Sequence, residues 1–219
     1  MTAAARARAV LFDFDGTLAD SAPDLCFALN ELRRHHHLKP LAVDDVRPYA
    51  SMGGRGMVRV GFGKKPGDAG YEELRDAFLD LYAQNVCRET RLFPGILELL
   101  GLLKQKNIQW GIVTNKAMRF TEQLVGALSL EPDCVVGGDS TPHLKPHPAS
   151  LLLAAERLAL PPAACSYLGD DLRDIQAARA AGMRAVAVEW GYINPDNEGP
   201  GSWNADVLID RPLGLVEHL

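Results

Sequence analysis

Nowhere in the 219 residues is there a run approaching the roughly 20 apolar side chains that a helix needs to cross a bilayer. A helical membrane span is therefore not expected. Cysteine is scarce: the four present, Cys26, Cys87, Cys134 and Cys165, are widely spaced, with no C-x-x-C pair and no histidine at zinc-finger spacing. That excludes a disulfide scaffold and predicts buried, reduced thiols. Positive charge is not in excess, since 23 Lys and Arg against 28 Asp and Glu leave a formal charge of -5 and a pI near 5.7. There is no overall basic field for nucleic acid. Arg6 and Arg8 precede an apolar run of only about six residues before Asp13 interrupts it, too short for the core of a secretory signal. Repeats and low-complexity tracts are also missing. The expectation is a soluble, cytoplasmic protein, a monomer or weak homodimer, with a small-molecule ligand and neither nucleic acid nor membrane as partner.

What is present is a chain able to bury a core, with 47% hydrophobic residues and a length suited to one main domain plus a smaller inserted piece. Short apolar runs recur with helical segments between them: Ala9 to Phe14, Ile108 to Thr114, Cys134 to Val136, Ser166 to Leu168, Arg184 to Val188 and Ala205 to Ile209. This is the pattern of an α/β protein with a parallel sheet of five or six strands. From Leu18 to Phe93 no convincing strand stands out. Ser21, Pro23 and Asp24 read as a helix start, continued by Leu25, Leu29 and Leu32, and Tyr71 to Val86 reads as another helix, with Leu74, Phe78, Leu81 and Tyr82 on one face. The chain returns at Phe93-Pro94-Gly95, and Ile96 to Lys106 forms a helix feeding the second strand.

The most informative stretch is Asp13-Phe14-Asp15-Gly16-Thr17-Leu18, directly after the first apolar run. Side chains alternate along a strand, so Asp13 and Asp15 start out on the same side, at the carboxyl end where parallel sheets bind ligands. Two like charges so close need a cation or a proton, and a hard divalent ion such as Mg²⁺ suits oxygen ligands and works with substrate phosphate. An Asp-Gly turn alone carries little weight. Its weight grows because Thr114 and Asn115 end the second strand, Lys145 follows the third within Leu144-Lys145-Pro146-His147-Pro148, and Gly169-Asp170-Asp171 closes the fourth. Parallel strands bring all of these to one edge.

In order and over nearly the whole chain, these elements resemble the four motifs of the haloacid dehalogenase superfamily. The resemblance implies a Rossmann-like core, residues 1–17 and 92–219, with a central parallel sheet flanked by helices. It also implies a small all-helical cap of the C1 type, residues 18–91, inserted after the first strand. It makes Asp13 the nucleophile of a Mg²⁺-dependent phosphatase and Asp15 the general acid and base. Thr114, with Asn115 nearby, would bind the phosphoryl oxygens, and Lys145 would neutralise the phosphate and Asp13. Asp170 would hold the metal with the Asp13 carboxylate and the backbone carbonyl of Asp15; Mn²⁺ or Co²⁺ accept the same ligands. Asp174 either stabilises a helix N-terminus or supports the metal site from behind. Asp171 is a candidate for a water-mediated metal contact.

Within the superfamily the pattern most resembles phosphoglycolate phosphatases, which act on 2-phosphoglycolate. Trp110 to Lys116, Gly169 to Ile175 and the tail from Gly191 through Trp203 to Asp206 resemble the bacterial N-acetylmuramic acid 6-phosphate phosphatases of cell-wall sugar recycling. Ser51-Met52-Gly53-Gly54-Arg55-Gly56 is the candidate specificity loop, with Gly54 allowing close approach and Arg55 placed to pair with a carboxylate or phosphate. Met57 and Phe62 read as packing. Gly63-Lys64-Lys65 lacks the glycine and hydroxyl spacing of a P-loop, and three adjacent histidines, His35 to His37, cannot face one ion on a helix. A dehalogenase needs no second acid such as Asp15. A phosphonatase needs a Schiff-base lysine, and Lys39, Lys64 and Lys65 have no supporting context. A sugar phosphomutase shares all four motifs, and a non-catalytic scaffold normally lacks the nucleophile or acid.

Overall fold

The computed structural model describes residues 7–194 and 196–219. Arg6 and the rest of residues 1–6, which begin the expected core, lie outside the described residues. In chain order the elements are β1 (Ala9–Phe12), β2 (Ala19–Asp20), α1 (Ala22–His35), α2 (Val43–Val46), α3 (Gly54–Phe62), α4 (Tyr71–Ala83), β3 (Arg91–Leu92) and α5 (Ile96–Gln105). There follow β4 (Gln109–Val113), α6 (Met118–Ala127), β5 (Cys134–Val136), α7 (Ala149–Arg157), β6 (Cys165–Gly169), α8 (Leu172–Ala181), β7 (Arg184–Val188) and β8 (Val207–Ile209). Six strands form one sheet in the order β5-β4-β1-β6-β7-β8, every neighbouring pair parallel.

A parallel sheet is covered on both faces, which is why its strands read as unbroken apolar runs. Alternation divides them between two cores. Leu11, Val113, Tyr167, Ala185 and Ala187 pack under α7 and α8, while Val10, Phe12, Ile112, Leu168 and Val186 pack under α5 and α6. Phe12 is opposite Ile112 on one side and Leu168 on the other. That register brings the residues after β1, β4 and β6 to one edge, and β1 lies where the strand order reverses. In open α/β sheets such a switch point opens a crevice.

A third core joins α1, α3 and α4 through Leu25, Leu29, Met57, Val58, Tyr71, Phe78 and Tyr82. It reaches the sheet portion through Tyr82, whose ring meets that of Phe120 on α6 edge-on at 5.2 Å. The span from Leu18 to Phe93 also holds an antiparallel ribbon, β2 paired with β3, where no strand stands out in the sequence. Two residues per strand are too few to show a period. Asp24 stitches the ends of the helical segment together, accepting from Glu89 N at 2.8 Å, Thr90 N at 3.1 Å and Thr90 Oγ1 at 2.6 Å.

Other boundaries also differ from expectation. The helix expected from Tyr71 to Val86 is α4 and ends at Ala83. The expected loop from Ser51 to Gly56 is a 3₁₀ turn, Arg47–Met52, running through Gly53 into the first turn of α3. Gly56 is there because a Cβ would stand 2.1 Å from the Tyr49 carbonyl oxygen. Met57 is fully buried and Phe62 partly so, both as packing. His35 to His37 are exposed at the end of α1. All four cysteines are free, with Cys87 only half-buried. No helix among the described residues is long and apolar enough to cross a membrane.

Phe12 is fully buried beneath Trp110 in the central strand. Phe12→Ala is expected to cost about 3–5 kcal/mol of unfolding free energy, measured by urea denaturation.

Candidate active site

The edge is built outward from β1. Asp13 continues the strand ladder by donating its N–H to the Leu168 carbonyl at 2.9 Å. The chain then turns sharply at Gly16, where φ is +88° and a Cβ would stand 2.0 Å from Asp170 Oδ2. Only glycine lets this turn lie against the end of β6. Thr17 completes the lock, its hydroxyl donating to Asp170 Oδ1 at 3.0 Å. Buried Thr114 follows β4, and its Oγ1 accepts from Lys116 N at 3.2 Å.

Lys145 is the cation at the centre. Its Nζ lies 2.9 Å from Asp13 Oδ1 and 2.7 Å from Asp174 Oδ1, and donates to the Tyr167 hydroxyl at 2.7 Å. Burial alone would lower the pKa of this ammonium, yet the Asp13 and Asp174 charges raise it above its ordinary value. Oxygens of Asp13, Asp170 and Asp174 all come within 4.8 Å of one another. Two of the three buried carboxylates thus share one ammonium, and Asp170 stands beside them without one. Burial, and then the charges of Asp13 and Asp174, push the Asp170 carboxyl well above the usual carboxylate range. Burial also carries Asp174 up to about 6, with Lys145 opposing the shift and Asp13 adding to it.

Asp170 is held by Thr17 Oγ1, by Ser51 Oγ at 3.1 Å and by Tyr192 N at 2.8 Å. Among the described residues no Lys or Arg pairs with it. Oxygen donors gathered with a deficit of positive charge fit a hard divalent cation.

The candidates named from sequence separate here into groups. Asp13, Thr114, Lys145, Asp170 and Asp174 are gathered at the edge. The Asp15 side chain is nearby but outside the acidic cluster, taking the Ser21 hydroxyl on Oδ1 and Lys116 Nζ on Oδ2 at 3.2 Å. Asn115 faces the cavity, but its amide is engaged with the Lys145 backbone, accepting from N at 2.9 Å and donating to O at 3.1 Å. It therefore anchors the lysine loop with the side chain expected to hold substrate.

Asp171, the candidate for a water-mediated metal contact, is engaged with the protein itself. It caps α8 and takes Arg173 Nε at 2.8 Å on Oδ1 and Nη2 at 2.9 Å on Oδ2. Burial raises its pKa, but the hydrogen bonds and charge of Arg173 win and hold the carboxyl below the usual range. Asp174 closes the capping box through Asp171 N, at the N-terminus of α8, and also pairs with Lys145.

Between this edge and the helical layer lies a cavity of about 360 Å³, lined among others by Asp13, Asp15, Lys116, Tyr82 and Phe120. Gly54 and Arg55 reach it from the first turn of α3. Arg55 is exposed and has no acidic partner among the described residues, whereas Arg75 is paired with Glu72 and Asp76.

Several contributors had no sequence expectation. Lys116 stood in plain view after Thr114 and Asn115 at a strand end, which was signal enough to include it. Ser51 and Tyr192 act on Asp170 across long-range contacts that no local pattern announces, while Ser21 and Arg173 reach Asp15 and Asp171 from six and two residues away. Tyr192 gives Asp170 its N–H, and its hydroxyl accepts from Ser21 N at 2.7 Å and Ala22 N at 3.0 Å at the start of α1.

Residues 10–188 match the family model described as haloacid dehalogenase-like hydrolase. The chain is 42% identical over 214 residues to an N-acetylmuramic acid 6-phosphate phosphatase of Pseudomonas putida, covering 96% of this chain and 95% of that protein. It is also 42% identical over 212 residues to a phosphoglycolate phosphatase of Xanthomonas campestris pv. campestris, again covering 96% and 95%. A candidate phosphoglycolate phosphatase from Lactobacillus delbrueckii subsp. bulgaricus superposes with a TM-score of 0.85 at 28% identity, covering 97% of this chain and 98% of that one.

Removing the shared ammonium leaves buried carboxylates uncompensated. Lys145→Met is expected to lose about 3–5 kcal/mol of stability in urea denaturation without divalent cation, while exposed Arg55→Met stays within about 0.5 kcal/mol of the parent.

Proposed function

Because this chain belongs to the haloacid dehalogenase-like hydrolase family and is a phosphoric monoester hydrolase acting on small phosphate esters, we propose that it hydrolyses 2-phosphoglycolate through an aspartyl-phosphate on Asp13. The observation that carries this reading is the fixing of Asp13. Its Oδ1 takes Lys145 Nζ at 2.9 Å and Phe14 N at 2.7 Å, which leaves Oδ2 to attack phosphorus.

In the first step a bond forms between Asp13 Oδ2 and phosphorus as the bond from phosphorus to the ester oxygen breaks. Asp15 gives its proton to the leaving alkoxide. In the second step Asp15 takes a proton from water, the water oxygen bonds to phosphorus, and Asp13 Oδ2 is released with inorganic phosphate. The Thr114 hydroxyl and the Lys145 ammonium meet the phosphoryl oxygens, where charge must be stabilised. Asp13, the backbone carbonyl of Asp15 and Asp170, backed by Asp174, would hold Mg²⁺, which neutralises phosphoryl charge when bound; Mn²⁺ and Co²⁺ suit the same oxygens. Residues 18–91 act as a cap that keeps water out of the first step.

Arg55, exposed at the cavity and without an acidic partner among the described residues, is the group we assign to the glycolate carboxylate. One observation favours a second reading. A cavity of about 360 Å³ is roomier than a two-carbon acid requires, and N-acetylmuramic acid 6-phosphate also carries a carboxylate, on its lactyl ether. Every residue invoked comes from one chain, so a monomer or weak homodimer suffices. Four free thiols suit the reducing cytoplasm, where we place the protein.

Asp13→Asn is expected to retain below about 1% of parental kcat with an unchanged circular dichroism spectrum, since losing a nucleophile costs several kcal/mol in the barrier. Phosphate release with Mg²⁺ separates the two substrates. A lead of about a hundredfold in kcat/KM for 2-phosphoglycolate, about 2.7 kcal/mol, is the expected result, and the reverse order selects the sugar phosphate.

A further inference from the structure

Asp15 is held from both sides. Ser21 Oγ donates to Oδ1, and Lys116 Nζ stands 3.2 Å from Oδ2. The Lys116 side chain is only 7% exposed, yet it takes no part in the cluster around Lys145. Its second partner is on the far side of the cavity. Lys116 Nζ donates to the Tyr82 hydroxyl at 3.1 Å and lies 4.7 Å from the centre of that ring. Tyr82 belongs to α4 of the helical layer and is stacked on Phe78 at 6.2 Å, with its edge contact to Phe120 on the sheet portion. One buried ammonium thus ties a carboxylate of the sheet edge to a hydroxyl of the helical layer.

We propose that Lys116, anchored on Tyr82, is a positioning residue that aims Asp15 at the leaving oxygen when the helical layer is docked. This inference rests on the reading of Asp15 as general acid. The alternative is that Lys116 merely neutralises a carboxylate, in which case its neighbours in the helical layer are incidental. The two differ in which substrates suffer. An alkyl phosphate needs its leaving oxygen protonated, whereas 2,4-dinitrophenolate leaves as the anion. Because kcat/KM reports only steps through phosphoryl transfer to Asp13, it isolates the acid role from the later base role.

The test compares parent, Tyr82→Phe, Lys116→Met and Asp15→Asn in kcat/KM. The esters are 2,4-dinitrophenyl phosphate and the faster of 2-phosphoglycolate and N-acetylmuramic acid 6-phosphate. Tyr82→Phe keeps the ring packing and removes only the hydroxyl. It is expected to lose about tenfold on the alkyl ester and Lys116→Met about a hundredfold, both staying within about fivefold on the dinitrophenyl ester. Asp15→Asn is the reference. If it loses both esters equally, the general-acid reading of Asp15 fails. If Asp15→Asn is selective but the other two variants lose both esters equally, or lose neither, the proposal is overturned. Should Lys116→Met not fold, Tyr82→Phe decides alone.

Discussion

The contact on which the site depends is the Lys145 ammonium between Asp13 and Asp174, 2.9 Å from one and 2.7 Å from the other. Without it three carboxylates would meet at a strand edge where burial already disfavours their charge. With it, one oxygen of Asp13 is immobilised and a deficit of positive charge remains on the side of Asp170. A site complete in itself would have had a second cation there. The unfinished balance suits a metal and the transferred phosphate, whose opposite charges would complete the site together.

The rest of the molecule can be read as support for that balance. The sheet register sets Phe12, the last residue of β1, level with Ile112 and Leu168, each one residue from the end of its strand. The Gly16 turn presses the first motif against Asp170, and the capping box at the start of α8 fixes Asp174 in the direction of Lys145. Asn115 holds the Lys145 backbone from both its donor and its acceptor atom. None of these contacts needs to touch a ligand. They remove the freedom that the charged groups would otherwise lose on binding.

How much of this was legible depends on how local the signal is. Apolar runs mark parallel strands because both sheet faces are covered, so the six strands and the convergence of Asp13, Thr114, Lys145 and Asp170 on one edge follow from pattern and topology together. The β2–β3 ribbon is too short to show a period. Ser51 to Gly56 looks like a loop because glycine is a poor helix former, but here Gly56 serves a close approach to Tyr49 within a helix. Asp171 and Asn115 have the right type and place for ligand contacts; Arg173, which claims Asp171, is only two residues on, whereas the Lys145 backbone that Asn115 holds is 30 residues away. Tyr192 is separated from Asp170 by 22 residues and from Ser21 by 171. Such pairings exist only once the chain is folded.

The helical segment leaves and rejoins the sheet portion at a single place, where Ala19 pairs with Leu92 and Asp24 grips Glu89 and Thr90. Because its two ends meet, the cost of closing it grows only slowly with its length. Mutation and recombination are therefore free to lengthen, trim or exchange the segment without disturbing the spacing of the strands. If Arg55 on the helical segment reads the substrate as proposed, reaction and recognition become separable traits in descent, one inherited through the sheet edge and the other through whatever is stitched in at the ribbon. Two such chains can share ancestry over their whole length and still have parted company over what they recognise.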